Sequence, residues 1–323
     1  MNPLPLNLPA SAADACTPAS QPAARGPTAP HAVTPRDTQT YFTEVAHDYR
    51  AWSPAYNMHF GYWRAGLNPL RREAMLDAMN HVVGDALQLN PDQSTCVVDL
   101  GCGAGATTRA LLRRLPRLHA ITVTNVAVQN GIARTLDAAA GVADRAAHLE
   151  ADFTRTGLPA AQADGAWAVE SACYAPGFDK RAFCREAARL LKPGARLVVL
   201  DGFLLRERPG RLAGWLHRLW ADSWAVPTLA RRDEFITALR AEGFDDVQFR
   251  SLRWRIAPSA LHVPFLATRF AIAELWKARG RLTPWRRKHI VASYCALVLG
   301  LFWRDFDYGM VTAMRCDDAK AVR

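Results

Sequence analysis

The residues best placed for chemistry fall in one short stretch, Val97-Val98-Asp99-Leu100-Gly101-Cys102-Gly103-Ala104-Gly105. Apolar or β-branched positions from Thr95 to Val98 lead into an acid. Three glycines follow at alternate positions, and then a helical run, Thr107 to Leu115. This order reads as a buried strand, a tight turn and a helix N-terminus. Glycine tolerates positive φ and lets a ligand approach the backbone closely. The spacing is not Gly-x-Gly-x-x-Gly, and no Gly-Lys-Ser/Thr follows, so the turn is not read as a phosphate cradle. Three more polar residues, Thr124, Asp152 and Glu170, close other apolar runs. His59 lies in an aromatic loop, Trp52 to Trp63, that also holds Tyr56, Phe60 and Tyr62.

These residues need a scaffold. Strands are expected at Ala120–Thr124, Ala147–Ala151, Gly165–Val169 and Arg196–Leu200, and helices at Val126–Ala140 and Asp179–Leu191, the latter stopped by Lys192-Pro193-Gly194. Alternating strands and helices predict an α/β fold, a Rossmann-like doubly wound sheet of seven strands. Ligands in such sheets bind at the carboxyl ends of the strands, where Asp99, Thr124, Asp152 and Glu170 fall. Further on, helices are expected at Leu212–Trp224 and Asp233–Glu242, strands at Val247–Trp254 and Tyr308–Arg315, and two amphipathic helices, about 258–279 and 284–303, in between.

The domain reading is a disordered tail at 1–36, an N-terminal helical and aromatic lid at 37–93, a core at 94–254, a basic apolar helical insertion at 255–307, and the last strand and tail at 308–323. Eight prolines, nine alanines and little charge mark the tail. In the lid, Phe42, Val45, Ala46 and Tyr49 form a helical stripe. Asn68 is expected to cap the next helix with Pro69 at its first position. The chain carries +10, and residues 250–304 hold eleven Lys/Arg against one acid, Glu274. Interleaved with tryptophans, that segment suits an anionic lipid surface, an anionic substrate or nucleic acid, or is simply a solvated face. Seven scattered cysteines without Cys-x-x-Cys argue for reduced thiols in a cytoplasm, and against disulfides and structural zinc; no metal is expected. No basic-then-apolar signal peptide is present, and the longest apolar run, Ile290–Trp303, is short for a membrane span.

The Asp99 to Gly105 stretch resembles motif I of the class I S-adenosylmethionine-dependent methyltransferases. Ile121-Thr122-Val123-Thr124-Asn125 with Gln129, Ala168-Val169-Glu170-Ser171, and Leu191-Lys192-Pro193-Gly194 are similar to segments of the sterol, tocopherol, prenyl and cyclopropane-fatty-acid branch. The resemblance implies S-adenosylmethionine as cofactor. Asp99, Gly101, Gly103 and Gly105 would hold its methionine end, Thr124 and Gln129 its ribose, and Asp152 and Phe153 its adenine. Many relatives carry an acid for the ribose at the end of the second strand, and this chain has none. Asp152 also reads as a helix cap.

Methyl transfer needs alignment, dryness and stabilisation of developing charge. Glu170 is the expected base and cation stabiliser near the methyl; His59 and Tyr174 are the other catalytic candidates, and Tyr41, Tyr56, Tyr62 and Trp63 the substrate-binding ones. The expected acceptor is a hydrophobic, optionally anionic, small molecule: carbon of an isoprenoid, sterol-like or fatty-acyl compound. Alternatives are O- or N-methylation of a secondary metabolite, or a non-catalytic lipid- or partner-binding module. Nucleic-acid bases are disfavoured, since Asn/Asp-Pro-Pro-Tyr is absent. The insertion would roof the pocket or rest on a membrane.

Overall fold

A computed structural model of the chain describes residues 33–277 and 279–316. The tail expected at 1–36 lies, up to residue 32, outside the described residues. Helix α1 (Pro35–Val45) opens two residues before the expected boundary. Thr34 is the reason. Its hydroxyl accepts the Asp37 N–H, and the Asp37 carboxylate accepts the Thr34 N–H at 2.9 Å, which closes a capping box with Pro35 at the first helical position. Helix α2 (Tyr49–Trp52) and the aromatic loop follow. Helix α3 (Arg72–Leu87) starts later than Pro69. Asn68 caps a turn instead: its Oδ1 accepts the Leu70 N–H at 2.9 Å.

The core alternates strands and helices as the periodicity predicts. In order come β1 (Thr95–Leu100), α4 (Ala106–Arg114), β2 (Leu118–Thr124), α5 (Ala127–Ala139), β3 (Ala146–Glu150), β4 (Ala163–Val169), α6 (Arg181–Leu190) and β5 (Leu191–Leu204). Then come α7 (Arg211–Ser223), β6 (Ala230–Arg231), α8 (Arg232–Ala241), β7 (Phe244–Ser251), α9 (Arg253–Ala260), α10 (Val263–Lys277), α11 (Pro284–Leu299) and β8 (Phe306–Arg315). The sheet order is β3-β2-β1-β4-β5-β8-β7, with β6 beside the end of β5. Strands β1 to β5 run parallel; β8 is antiparallel to β5 and β7. This is the doubly wound sheet, plus the two-residue β6, too short to leave a period in the sequence.

Both faces of the sheet are covered, so successive residues of one strand enter different cores. Val98, Leu100, Leu197 and Val199 pack on one side; Val97, Trp167, Val198 and Leu200 pack on the other. The insertion lies between β7 and β8 as three helices. The first expected helix divides at Leu261 and His262, because Pro264 has no N–H to give to the preceding turn and starts α10 afresh. Thr283 caps α11, accepting the Arg286 N–H.

A buried ion cluster ties the glycine turn to its surroundings. Arg109 donates to Ala104 O at 2.7 Å, to Ala55 O at 2.8 Å and to Asp137 Oδ1 at 3.2 Å. His148 Nε2 lies 3.1 Å from Asp137 Oδ2. Asp137→Ala leaves the Arg109 charge buried without a counter-ion and is expected to cost about 3–5 kcal/mol. Denaturant melts check this; the apolar pair Arg109→Met/Asp137→Leu should lose less than Asp137→Ala alone.

Candidate active site

The turn after β1 hangs from the neighbouring strand, since the N–H groups of Gly101 and Cys102 both donate to Val123 O. Gly101 has φ +86°, and a Cβ there would lie 2.4 Å from Ser171 Cβ. Gly103 has φ +53°, and a Cβ there would meet Met58 Sδ at 3.0 Å. Below the turn, Asp99 Oδ2 accepts the Thr108 hydroxyl at 2.7 Å, and burial pushes the Asp99 carboxyl up to about 7.

A cavity of about 350 Å³ opens over this turn, at the carboxyl ends of β1, β2 and β4. It brings together Asp99, Gly101, Gly103, Thr124, Gln129, Asp152, Phe153, Glu170, Tyr174, Tyr56 and His59 of the expected residues. Four others do not line it. Gly105 is the N-cap of α4. Tyr62 packs in the core against Met79 and Tyr308, and Trp63 donates its indole N–H to Leu67 O at 2.8 Å. Tyr41 is fully buried one layer back, with its hydroxyl 2.5 Å from His289 Nδ1. Spacing along the aromatic loop cannot tell which rings turn inward, because the loop has no repeat.

The expected base candidates differ sharply. Both ring nitrogens of His59 are taken, Nδ1 at 2.9 Å from Phe60 O and Nε2 at 3.0 Å from Asn80 Oδ1, and burial lowers its pKa. His59 is thus a fixed part of the loop rather than a free base. The Tyr174 hydroxyl donates to Trp224 O at 3.3 Å, and burial holds its pKa well above the usual tyrosine range. Glu170 stands directly after β4 with φ +50°. Its Oε1 accepts the Phe60 N–H at 2.7 Å and the Tyr308 hydroxyl at 2.9 Å. Its Oε2 has no hydrogen-bond partner among the described residues. Burial pushes this carboxyl up to about 8, and the two hydrogen bonds and the nearby Arg72 hold it back from rising further.

Residues outside the expected set complete the walls: Phe42, Tyr49, Trp52, Met58, Arg72, Trp224, Val263 and His289. Phe42 stacks edge-on to Tyr174 at 5.2 Å between centroids, and Trp52 stands edge-on to His289 at 4.9 Å. Burial lowers His289 to about 3, so it is neutral. Phe42 comes from α1, Tyr49 and Trp52 from α2, Met58 from the aromatic loop, Arg72 from α3, Trp224 from just after α7, Val263 from α10 and His289 from α11, and only the fold places them side by side.

The donor set fits S-adenosylmethionine. The floor is glycine backbone with only the Met58 thioether above Gly103. Asp152 Oδ1 accepts from the N–H and hydroxyl of Thr154, both at 2.7 Å, so the expected helix cap is a local turn. Its Oδ2, without a partner among the described residues, is left to accept an amino group. Thr124 donates to Gln129 Oε1 at 2.9 Å, so the two ribose candidates form one unit.

Residues 97–194 match a methyltransferase domain family. An O-methyltransferase of Pyrenophora dematioidea is 30% identical over 208 residues, covering 62% of this chain and 73% of the relative. Among solved structures, a cyclopropane synthase of Mycobacterium tuberculosis superposes with TM-score 0.74 at 14% identity, over 88% of this chain and 99% of the other. The geranyl diphosphate C-methyltransferase of Streptomyces coelicolor A3(2), in complex with S-adenosylhomocysteine, superposes with TM-score 0.66 at 17% identity, over 88% and 100%. Fold, glycine turn and relatives agree: the chain belongs to the class I S-adenosylmethionine-dependent methyltransferases.

Proposed function

We propose that this enzyme methylates a carbon of a hydrophobic small molecule of isoprenoid, sterol-like or fatty-acyl type. The observation that carries the reading is Glu170, one oxygen anchored and the other free, in a cavity walled by Phe42, Tyr49, Trp52, Tyr174 and Trp224. S-adenosylmethionine, when bound, supplies an electrophilic methyl group. The aromatic faces stabilise positive charge developing on the acceptor, and their bulk excludes water. Glu170 Oε2 receives the proton that the methylated carbon loses. Phe60 N–H and the Tyr308 hydroxyl fix the carboxyl plane, so that transfer needs no reorganisation. The geranyl diphosphate C-methyltransferase likeness supports a prenyl-type acceptor.

An oxygen acceptor is the second reading, favoured by the O-methyltransferase relative. Glu170 would then take the hydroxyl proton. Trideuteromethyl-labelled S-adenosylmethionine, incubated with prenyl alcohols, unsaturated acyl esters and prenylated phenols, separates the two. Label on carbon is the expected NMR result. Label only on oxygen replaces the carbon reading.

A further inference from the structure

Helix α10 is apolar on two faces, and the protein covers one. The inner face, Val263, Ala267 and Phe270 at spacings of four and three, is buried against Trp52 and His289. Glu274, next on that face, pairs with Lys277 and Arg286. The outer stripe is Phe265, Ile272 and Trp276, at spacings of seven and four, with Leu261 in the turn before α10 continuing it four residues earlier. In chain order from Leu261 to Trp276, these residues are 67, 67, 64 and 88% exposed. Val291, Tyr294 and Val298 of α11, also exposed, continue the surface, and the Tyr294 hydroxyl bonds Thr268 across the two helices. Arg269, Arg279, Arg281 and Arg287 are exposed around it and have no acid partner among the described residues. A second apolar helix face left uncovered by the protein suits an apolar medium, and an exposed patch of this kind marks a contact site.

We propose that the outer face of α10 and α11 seats the protein on an anionic lipid bilayer, with α10 lying in the interface plane. The run Arg253–Lys277, 25 residues, is long and apolar enough by length and composition to cross a bilayer. Its inner face, however, is committed to Trp52, His289 and the Glu274 ion pairs, so it lies flat rather than spans. Charge chooses among occupants. Residues 250–304 carry eleven Lys/Arg and one buried acid. A second copy would set like charges against each other. A nucleic acid would leave the apolar stripe in water. An anionic bilayer satisfies both stripe and rim. Val263, on the opposite side of α10, lines the methyl-transfer cavity. One helix thickness, about 10 Å, then separates the cavity from lipid.

Flotation of the full chain with vesicles of mixed phosphatidylcholine and phosphatidylglycerol tests this. Binding is expected to the anionic vesicles, weaker to phosphatidylcholine alone, and reduced by salt. Phe265→Ser/Ile272→Ser/Trp276→Ser should lower partitioning at least about tenfold. Arg269→Gln/Arg287→Gln should lower it roughly fivefold per charge removed. Both variants alter exposed side chains, and should keep the thermal shift with S-adenosylhomocysteine. No flotation with anionic vesicles, or a stripe variant that floats like the parent, overturns the proposal. So does a parent dimer that the stripe variant converts to monomer without any vesicle binding. Salt-sensitive RNA binding with no vesicle binding also ends it.

Discussion

Glu170→Gln is expected to lower turnover by roughly 10²–10⁴, the range for positioned proton transfer, while S-adenosylhomocysteine binds as before. Glutamine keeps an acceptor oxygen for the Phe60 N–H and the Tyr308 hydroxyl, which hold Oε1 at 2.7 and 2.9 Å. The side chain should therefore stay in place, and the loss should report basicity rather than geometry. Tyr308→Phe supplies the contrast. It removes one anchor and leaves the carboxylate, so it should fall well short of the Glu170→Gln effect. Turnover unchanged in Glu170→Gln would remove the carboxyl from the chemistry.

The pH profile gives a second, independent readout of the same group. Burial raises the Glu170 carboxyl to about 8, so at neutral pH most of it carries a proton. A base must be deprotonated. The kcat/KM of the enzyme should therefore rise with pH at unit slope and level off above pH 8. Relative to the plateau it should be down roughly tenfold at pH 7 and roughly a hundredfold at pH 6. Asp99, raised to about 7 by burial, titrates nearby but is held by Thr108 under the turn. Glu170→Gln should abolish the limb near pH 8, and Asp99→Asn should leave it. A limb that persists in Glu170→Gln belongs to another group.

Much of the scaffold was legible because its signals are local. Asp99 followed by alternate glycines, the apolar runs ending at Thr124, Asp152 and Glu170, and the alternation of periods along 95–200 all sit within one or two elements. The same locality explains the misses. Tyr41, Tyr62 and Trp63 share the loop and stripe composition of Tyr56, yet they face inward or sideways. That direction is set by long-range partners such as His289 for Tyr41 and Leu67 O for the Trp63 indole. Trp224 and His289 reach the cavity from elements over 100 residues beyond β1, so no spacing announces them. Lys180 is a related case. It falls inside the helix expected at Asp179–Leu191, yet it stands just before α6 and is fully buried, donating to Cys173 O, Ala175 O and Thr228 O. Burial lowers its pKa to about 8, and its three acceptors come from two separate loops.

Gly101→Ala should disable the cofactor turn. Two separable costs meet there. The first is conformational: φ is +86°, a region that alanine adopts only under strain. The second is steric: the new Cβ would stand 2.4 Å from Ser171 Cβ and 2.8 Å from its Oγ, inside any real contact distance. Gly194 separates the two, because it has φ +78° with nothing within 4 Å of a Cβ. Gly194→Ala should cost about 1 kcal/mol and leave S-adenosylhomocysteine binding intact. Gly101→Ala should cost about 2–4 kcal/mol and reduce that binding by at least about a hundredfold. Relief of the clash has to displace either the turn or the segment after β4, and that segment carries Glu170 next to Ser171. Cofactor floor and base are thus one mechanical unit, and turnover should fall further than binding. Ser171→Gly removes the opposing Cβ, so Gly101→Ala/Ser171→Gly should recover part of the lost affinity in calorimetry. If Gly101→Ala binds S-adenosylhomocysteine like the parent, the turn after β1 is not where the cofactor rests.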